Sequence, residues 1–266
     1  MNSLQRTLIE KAGNDNGFEV VLPQEASATT VALASARHWT QATISGLDND
    51  GYQIEFQPGN ETLIPELHRN FSSAGTSAPI FLATNLPELT QLLHRASSLS
   101  QALPNQAAQD YQTIVADALA QLPFGLLGTE VERMVRQRVG QDRFRAAMLD
   151  YWGGACAVTG IAIPEVLRAS HAKPWAECAS DTERLDVFNG FLLSANLDAL
   201  FDRFLISFDD MGFLLVSHRL AQKELHSLGI QAGMALRWLT DAHRAYLAWH
   251  RQRCGSLSGQ QSGSII

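Results

Sequence analysis

Four side chains in the second half of the chain have types and spacing that could do chemistry together: His171, Asn189, Asp198 and Asp202. His171 closes the run EVLRASHAKPW, residues 165–175, which reads as a strand stopped by Pro174, because proline lends no N–H to a ladder. Its imidazole, with an unperturbed pKa of about 6.5, exchanges a proton within the cellular range. Asn189-Gly190 opens a second strand, and a short helix follows with Asn196 as its expected cap. On that helix Leu197, Leu200, Phe201 and Phe204 fall at i, i+3, i+4 and i+7, so they form one apolar face directed at the core. Asp198 and Asp202 are then i, i+4 neighbours on one flank, where two carboxylates repel by roughly 0.2–0.5 kcal/mol unless a cation stands between them. A divalent metal ion or an arginine would supply that charge.

The elements that must position these groups fall into two regions. Leu4 to Ala12 forms an amphipathic stretch that ends in the turn cluster Gly13-Asn14-Asp15-Asn16-Gly17. Short β-rich runs follow, FEVVLP, TTVALAS, QATISGL and GYQIEFQP, with Asp48-Asn49-Asp50-Gly51 as a hairpin connection and APIFLAT, residues 78–84, as a further strand. From Asn85 the period becomes helical: Asn85 and Glu88 make a capping box ahead of the stripe Leu86, Leu89, Leu92 and Leu93. SSLSQALPNQAAQ is poor in large apolar residues and reads as a linker, which places a boundary near residue 105. Beyond it a helix is expected from about Tyr111, a break at LPFGLLG, and a second helix over TEVERMVRQRVGQ with Thr129 and Glu132 as its capping box.

Composition excludes several classes. With 45% hydrophobic and 18% charged residues the chain folds rather than staying disordered. Three cysteines, Cys156, Cys178 and Cys254, are an odd number without a Cys-x-x-Cys pair, which argues against a disulfide framework or a cysteine-rich zinc site. Glu10 and Lys11 interrupt what a signal peptide would need, and no run approaches the ~18 apolar residues of a membrane span, so a cytoplasmic protein without membrane contact is expected. The net charge of −7 runs against broad phosphate binding, but residues 1–100 hold five basic and ten acidic side chains and so carry most of it. A bound cation would neutralise the acids clustered in the second part, so charge alone does not exclude DNA.

The motifs CAVTG (156–160), ASHAKPW (169–175), NGFLLS (189–194), LDALFDR (197–203) and LAWHR (247–251), with VGQDRFRAAMLDYWGGACAVTG and DTERLDVFNGFLLSANLDALFDR around them, resemble a bacterial subgroup of the HNH endonucleases, of restriction type. The resemblance runs from about Glu130 to Arg251. It implies a ββα-metal core, with His171 as the general base that takes a proton from water, Asn189 as the middle Asn of the motif, and Asp198 with Asp202 at the helix positions of the metal ligands. Asn189 would either orient the His171 loop or bind the ion through its amide oxygen. Arg168 and Lys173, close to His171 in sequence, would hold phosphate oxygens. Hard carboxylate oxygens favour one Mg²⁺ or Mn²⁺ per site over Zn²⁺.

The expected architecture is therefore α+β: a small N-terminal mixed, mainly antiparallel sheet domain over 1–105, a helix-flanked ββα-metal domain over 106–253, and a Gly/Ser-rich disordered tail over 254–266. The expected function is a metal-dependent endonuclease hydrolysing phosphodiester bonds in DNA, of restriction or defence type, with a homodimer as the easiest way to cut both strands. Three departures from the pattern stand beside it. Asp198 and Asp202 occupy positions where the last member is commonly histidine, Ser170 stands where many relatives carry Asp or His, and Phe204 replaces the glycine of a common FDRG. Ser170 and the acidic charge prompt the alternative of a catalytically degenerate nucleic-acid-binding protein on the same scaffold.

Blander roles compete for the same residues. His171 could brace a loop, Asp198 could favour a helix dipole, Asp202 could pair with an arginine such as Arg168, and Asn189 could be an ordinary turn residue. His38, His68, His94, His218, His226, His243 and His250 read as structural, and Cys156 as a small buried hydrophobe. Arg133, Arg136 and Arg143 form either a DNA-facing stripe or, with Glu132 and Asp142 interspersed, a solvated helix face. Trp152, Trp175, Trp238 and Trp249 read as packing residues rather than base-stacking platforms.

Overall fold

Strand alternation builds the first sheet, and helix periodicity covers it. A computed structural model describes residues 1–24, 29–47, 51–71, 79–104, 106–122 and 128–259. The chain divides into two compact units, Met1–Gln106 and Ala107–Ile266. The class is α+β.

In the first unit, α1 (Ser3–Asp15) precedes β1 (Val20–Val21), β2 (Thr30–Ala34), β3 (Gln41–Gly46) and β4 (Tyr52–Gln57). Then come α2 (Leu63–Asn70), β5 (Ile80–Ala83) and α3 (Leu86–Ala102). The strands form one antiparallel sheet in the order β1-β2-β3-β4-β5. Val31, Leu33, Ala42, Ile44, Ile54, Phe56, Phe81 and Ala83 alternate into the core. Asn85 caps α3, accepting from Glu88 N–H at 2.9 Å, but the return bond of the expected box comes from Thr84 N–H, which donates to Glu88 Oε2 at 2.7 Å. The run FEVVLP pairs only over Val20–Val21, and α2 is a helix that the sequence reading did not anticipate, its buried Leu63 and Leu67 too few to show a period. The hairpin residues 48–50, residue 78 of APIFLAT, boundary residue 105 and most of LPFGLLG lie outside the described residues.

The linker expected after Ala96 is mostly helix. Ser97 and Ser100 are buried on α3 because a small hydroxyl lets the helix approach its neighbours: Ser97 Oγ bonds His38 Nε2 at 3.1 Å, and Ser100 Oγ donates to Thr40 Oγ1 at 2.7 Å. The next helix, α4 (Gln106–Ala120), starts earlier than expected.

In the second unit α5 (Thr129–Trp152) is the long support. Gly128, not Thr129, caps it, and no side chain accepts from its first turn. A tight CAVTG turn leads to β6 (Leu167–His171), then α6 (Asp181–Leu185), β7 (Gly190–Ser194) and α7 (Ala195–Phe201). β8 (Ile206–Phe208), β9 (Leu214–Ser217), α8 (Gln222–Ser227), α9 (Asp241–Arg253) and β10 (Leu257–Gly259) complete the unit. β6 and β7 form an antiparallel pair in which His171 stands opposite Gly190, and β10-β9-β8 form a second sheet. Residues 257–259, placed in the expected disordered tail, pair with β9 because the polar run still offers backbone donors and acceptors to an open strand edge; 260–266 lie outside the described residues. Asn196 does not cap α7: Ser194 takes the cap position, and Asn196 Nδ2 donates to Leu228 O at 2.8 Å.

Every residue of β7 is buried, and Phe144, Met148, Tyr151 and Trp152 of α5 join Phe191, Phe201 and Phe208 in the core. Trp152 stacks on Trp238 with centroids 4.3 Å apart, a packing role as expected. Cys156, Cys178 and Cys254 are free and buried. Cys156 knits its turn to β7: Thr159 N–H and Ser194 N–H both point at its Sγ, and Ala157 N–H donates to Leu192 O.

Gly190 is required by closeness, not by its dihedrals. A Cβ there would stand 2.4 Å from Ser170 O and 2.7 Å from Phe144 Cζ, and the first of these is backbone that cannot swing away. Gly190→Ala is expected to cost about 1–3 kcal/mol of unfolding free energy in urea denaturation through overpacking, with β6 and its His171 displaced.

Candidate active site

A cleft of about 520 Å³ opens between β6, α7 and α5, lined among others by His171, Asp198, Asp202, Arg145, Arg168 and Phe204. His171 is held from three sides. Its ring stacks on Phe144 with centroids 3.6 Å apart, meets Trp175 edge-on at 6.1 Å, and bonds through Nε2 to Arg184 O at 2.8 Å. A carbonyl only accepts, so Nε2 carries the proton and Nδ1 keeps its lone pair. Nδ1 has no bonding partner among the described residues. Burial pushes the imidazole pKa down to about 4, against a smaller upward effect of the Arg184 carbonyl. The ring is therefore neutral at cellular pH and able to accept a proton.

Asn189 is fully buried, and its amide is spent on the loop between the two strands. Lys173 N–H donates to Oδ1 at 2.8 Å, while Nδ2 donates to Lys173 O at 3.2 Å, Glu183 O at 3.1 Å and Cys178 Sγ at 3.4 Å. Of the two roles left open by the sequence, orienting the loop is what these bonds support, and the amide oxygen is not free for an ion. Asn189 is thus a positioning residue.

Asp198 and Asp202 share one flank as their spacing predicts, and no ion pair engages either among the described residues. Ser170 Oγ donates to Asp198 Oδ1, so the serine that stands at a ligand position of relatives ties β6 to α7 instead. Asp202 stands at the exposed rim. The cleft wall strips water from part of its carboxyl and the Asp198 charge adds to this, raising its pKa to about 6 against a smaller lowering by Arg203.

The basic residues sort differently from the sequence expectation. Arg168 reaches the cleft with its guanidinium on Glu165 O and Leu167 O, both 2.9 Å. Lys173 does not: its ammonium is committed to Glu183 Oε1 at 2.7 Å, because the Asn189 bonds turn the Lys173 backbone toward α6. Arg133 and Arg136 pair with Glu130 and Glu132 on their own helix, and Arg143 pairs with Asp110, so the proposed stripe is a solvated, paired face. Arg145, which the sequence reading passed over, lines the cleft and donates to Leu167 O at 2.8 Å and Pro164 O at 3.0 Å. Its signal was helical spacing: Gln141, Phe144 and Arg145 share one face of α5, and all three line the cleft.

His250 belongs to the wall as well. Nε2 bonds Phe201 O at 3.0 Å, Nδ1 accepts from Ser207 Oγ at 3.0 Å, and the ring stacks on Phe201 with centroids 3.9 Å apart. Burial pushes its pKa down to about 4, with the Phe201 bond opposing less strongly.

The donor set suits a hard divalent cation. It offers two carboxylates and no sulfur, and among the described residues no group of three or more His, Cys, Asp and Glu is placed to hold a metal. Asp198 and Asp202 are the two side chains of the cleft with the oxygen donors such an ion takes.

Residues 156–209 match the family model described as HNH endonuclease. No curated protein matches the chain. The matched segment holds the CAVTG turn, β6, β7, α7 and all four residues with which the sequence reading began, and it points to a nuclease-type function.

Because His250 is neutral in the fold and binds a proton more readily once unfolded, stability is lost as pH falls from about 6.5 toward about 4. Urea unfolding at pH 7 and pH 5 is expected to show wild type losing about 2 kcal/mol more over that interval than His250→Gln, which has no such proton to bind.

Proposed function

We propose that the protein is a metal-dependent endonuclease that hydrolyses phosphodiester bonds in DNA, of restriction or defence type, acting in the cytoplasm and cutting both strands as a homodimer. One observation carries the reading: an imidazole whose Nδ1 has no bonding partner among the described residues lines the same cleft as two carboxylates that no ion pair engages among those residues. The match of residues 156–209 to the HNH endonuclease family supports it.

In this reading His171 Nδ1 takes a proton from water as the water oxygen attacks phosphorus, and the bond to the leaving sugar oxygen breaks. The Arg184 carbonyl holds Nε2–H, keeps the tautomer fixed and favours the imidazolium that forms. Phe144 restrains the ring, and Asn189 sets the loop from which Arg184 reaches it. Arg168 and Arg145, whose charges are satisfied only by backbone carbonyls among the described residues, face the phosphate oxygens. Lys173 acts through Glu183 on the loop and not on phosphate. A Mg²⁺ or Mn²⁺ ion held by Asp198 and Asp202 would stabilise charge on the scissile phosphate and leaving oxygen.

The lack of a third ligand side chain among the described residues favours a second reading, a DNA-binding protein on a degenerate scaffold. Incubation of supercoiled plasmid with Mg²⁺ or Mn²⁺ separates the two. Wild type is expected to nick and linearise it, while His171→Ala slows cleavage about 10²–10⁴-fold and Asp198→Asn needs more cation for any cleavage. Retarded but intact plasmid with every divalent ion would select the second reading.

A further inference from the structure

Phe204 is the one described residue other than glycine with a positive φ, 56°. The chain leaves α7 in Schellman geometry: Leu205 N–H donates to Leu200 O and Phe204 N–H to Phe201 O, both at 2.9 Å. This puts Phe204 in the left-handed position that glycine ordinarily fills, where a Cβ crowds the backbone. The ring is half-buried, lies 4.9 Å from the His250 ring and 6.4 Å from that of Trp249, and turns toward the cleft that His171, Asp198 and Asp202 line. A strained residue facing a site is the pattern seen where a side chain grips a ligand.

What lies beside it narrows the ligand. Trp249 is also half-buried, and the Arg253 guanidinium sits 3.2 Å above its ring centre, itself exposed. Phe204 thus brings one aromatic ring to a cleft already carrying Arg145 and Arg168, while Trp249 and Arg253 stand behind that ring, outside the cleft lining. Bases stack on aromatic faces and their phosphates pair with guanidinium groups, which is the chemistry of binding unpaired nucleotides. A paired base inside a duplex shows no face to such a ring.

We propose that Phe204 stacks on a DNA base lifted out of its stack beside the scissile phosphate. The proposal rests on the nuclease reading and names the form its substrate takes: duplex DNA opened locally at the scissile step, for which a single strand serves as the probe. Phe204 would contact substrate directly, and its strain would be the cost of aiming a ring where glycine offers none.

The test is a titration of a single-stranded oligodeoxynucleotide containing aminopurine onto the full chain in EDTA, read by aminopurine fluorescence and anisotropy. Wild type is expected to bind and quench the probe. Phe204→Leu keeps apolar bulk and the same backbone but has no π face, so it should bind about ten-fold more weakly and lose most of the quench at an unchanged melting temperature. Phe204→Gly should lose binding similarly while melting at or above wild type, since the strain is gone. Leucine binding and quenching as well as phenylalanine would overturn the proposal. If wild type still cleaves plasmid in that case, stacking alone is lost; if wild type neither binds the oligonucleotide nor cleaves plasmid, both readings fall.

Discussion

One buried carboxamide organises the second unit's site. Asn189 accepts from and donates to the backbone of the same residue, Lys173, and also donates to Glu183 O, so it holds both sides of the connection between β6 and β7. The group is away from water, and an unmet amide there would cost about 1–3 kcal/mol, which makes the arrangement close to all-or-none. The tautomer of His171 is set through this loop: the carbonyl that fixes it belongs to Arg184, on the segment the carboxamide holds. Gly190 follows directly because Asn189 can reach inward only if the next residue lies flat against Ser170 O and Phe144.

Charge in the cleft is divided by wall. β6 and α5 contribute Arg168 and Arg145, α7 contributes Asp198 and Asp202, and the imidazole between them is uncharged. The arginines are anchored on backbone carbonyls rather than carboxylates, so their full charge faces the opening. Neither carboxylate pairs with an arginine among the described residues; Ser170 anchors Asp198, and helix geometry sets Asp202 beside it. An anion with a hard cation would complement both walls together, which neither would do alone.

Much of this was legible in order of residues and little of it in their contacts. The strand ending at His171, the strand opening at Gly190 and the shared flank of Asp198 and Asp202 follow from local rules of proline, glycine and helical spacing, and each is present. The choice between ion binding and loop bracing for Asn189 was not readable, because it depends on where the Lys173 backbone turns. Lys173 looked free because Glu183 is ten residues away in sequence and adjacent only after folding. Arg145 and Phe144 were hidden in a helix whose polar face is rich in arginine, and only the packing of α5 on β6 tells one arginine from the next. The short strands and helix ends erred by a few residues wherever backbone groups, not side-chain pattern, set the boundary, as at Gly128, Ser194 and β10.

The Phe201 carbonyl accepts from two donors, Phe204 N–H at the close of its own helix and His250 Nε2 from α9, forty-nine residues later in the chain. His171 is secured by neighbours near in sequence, Phe144 twenty-seven positions before it and Arg184 thirteen after, but the turn that follows Asp198 and Asp202 is finished by α9. As a chain emerges from the ribosome in order, the imidazole and its loop can settle first, and the carboxylates reach their final aim only when α9 arrives. Assembly of the cleft is therefore sequential in time, with the α7 wall the late arrival.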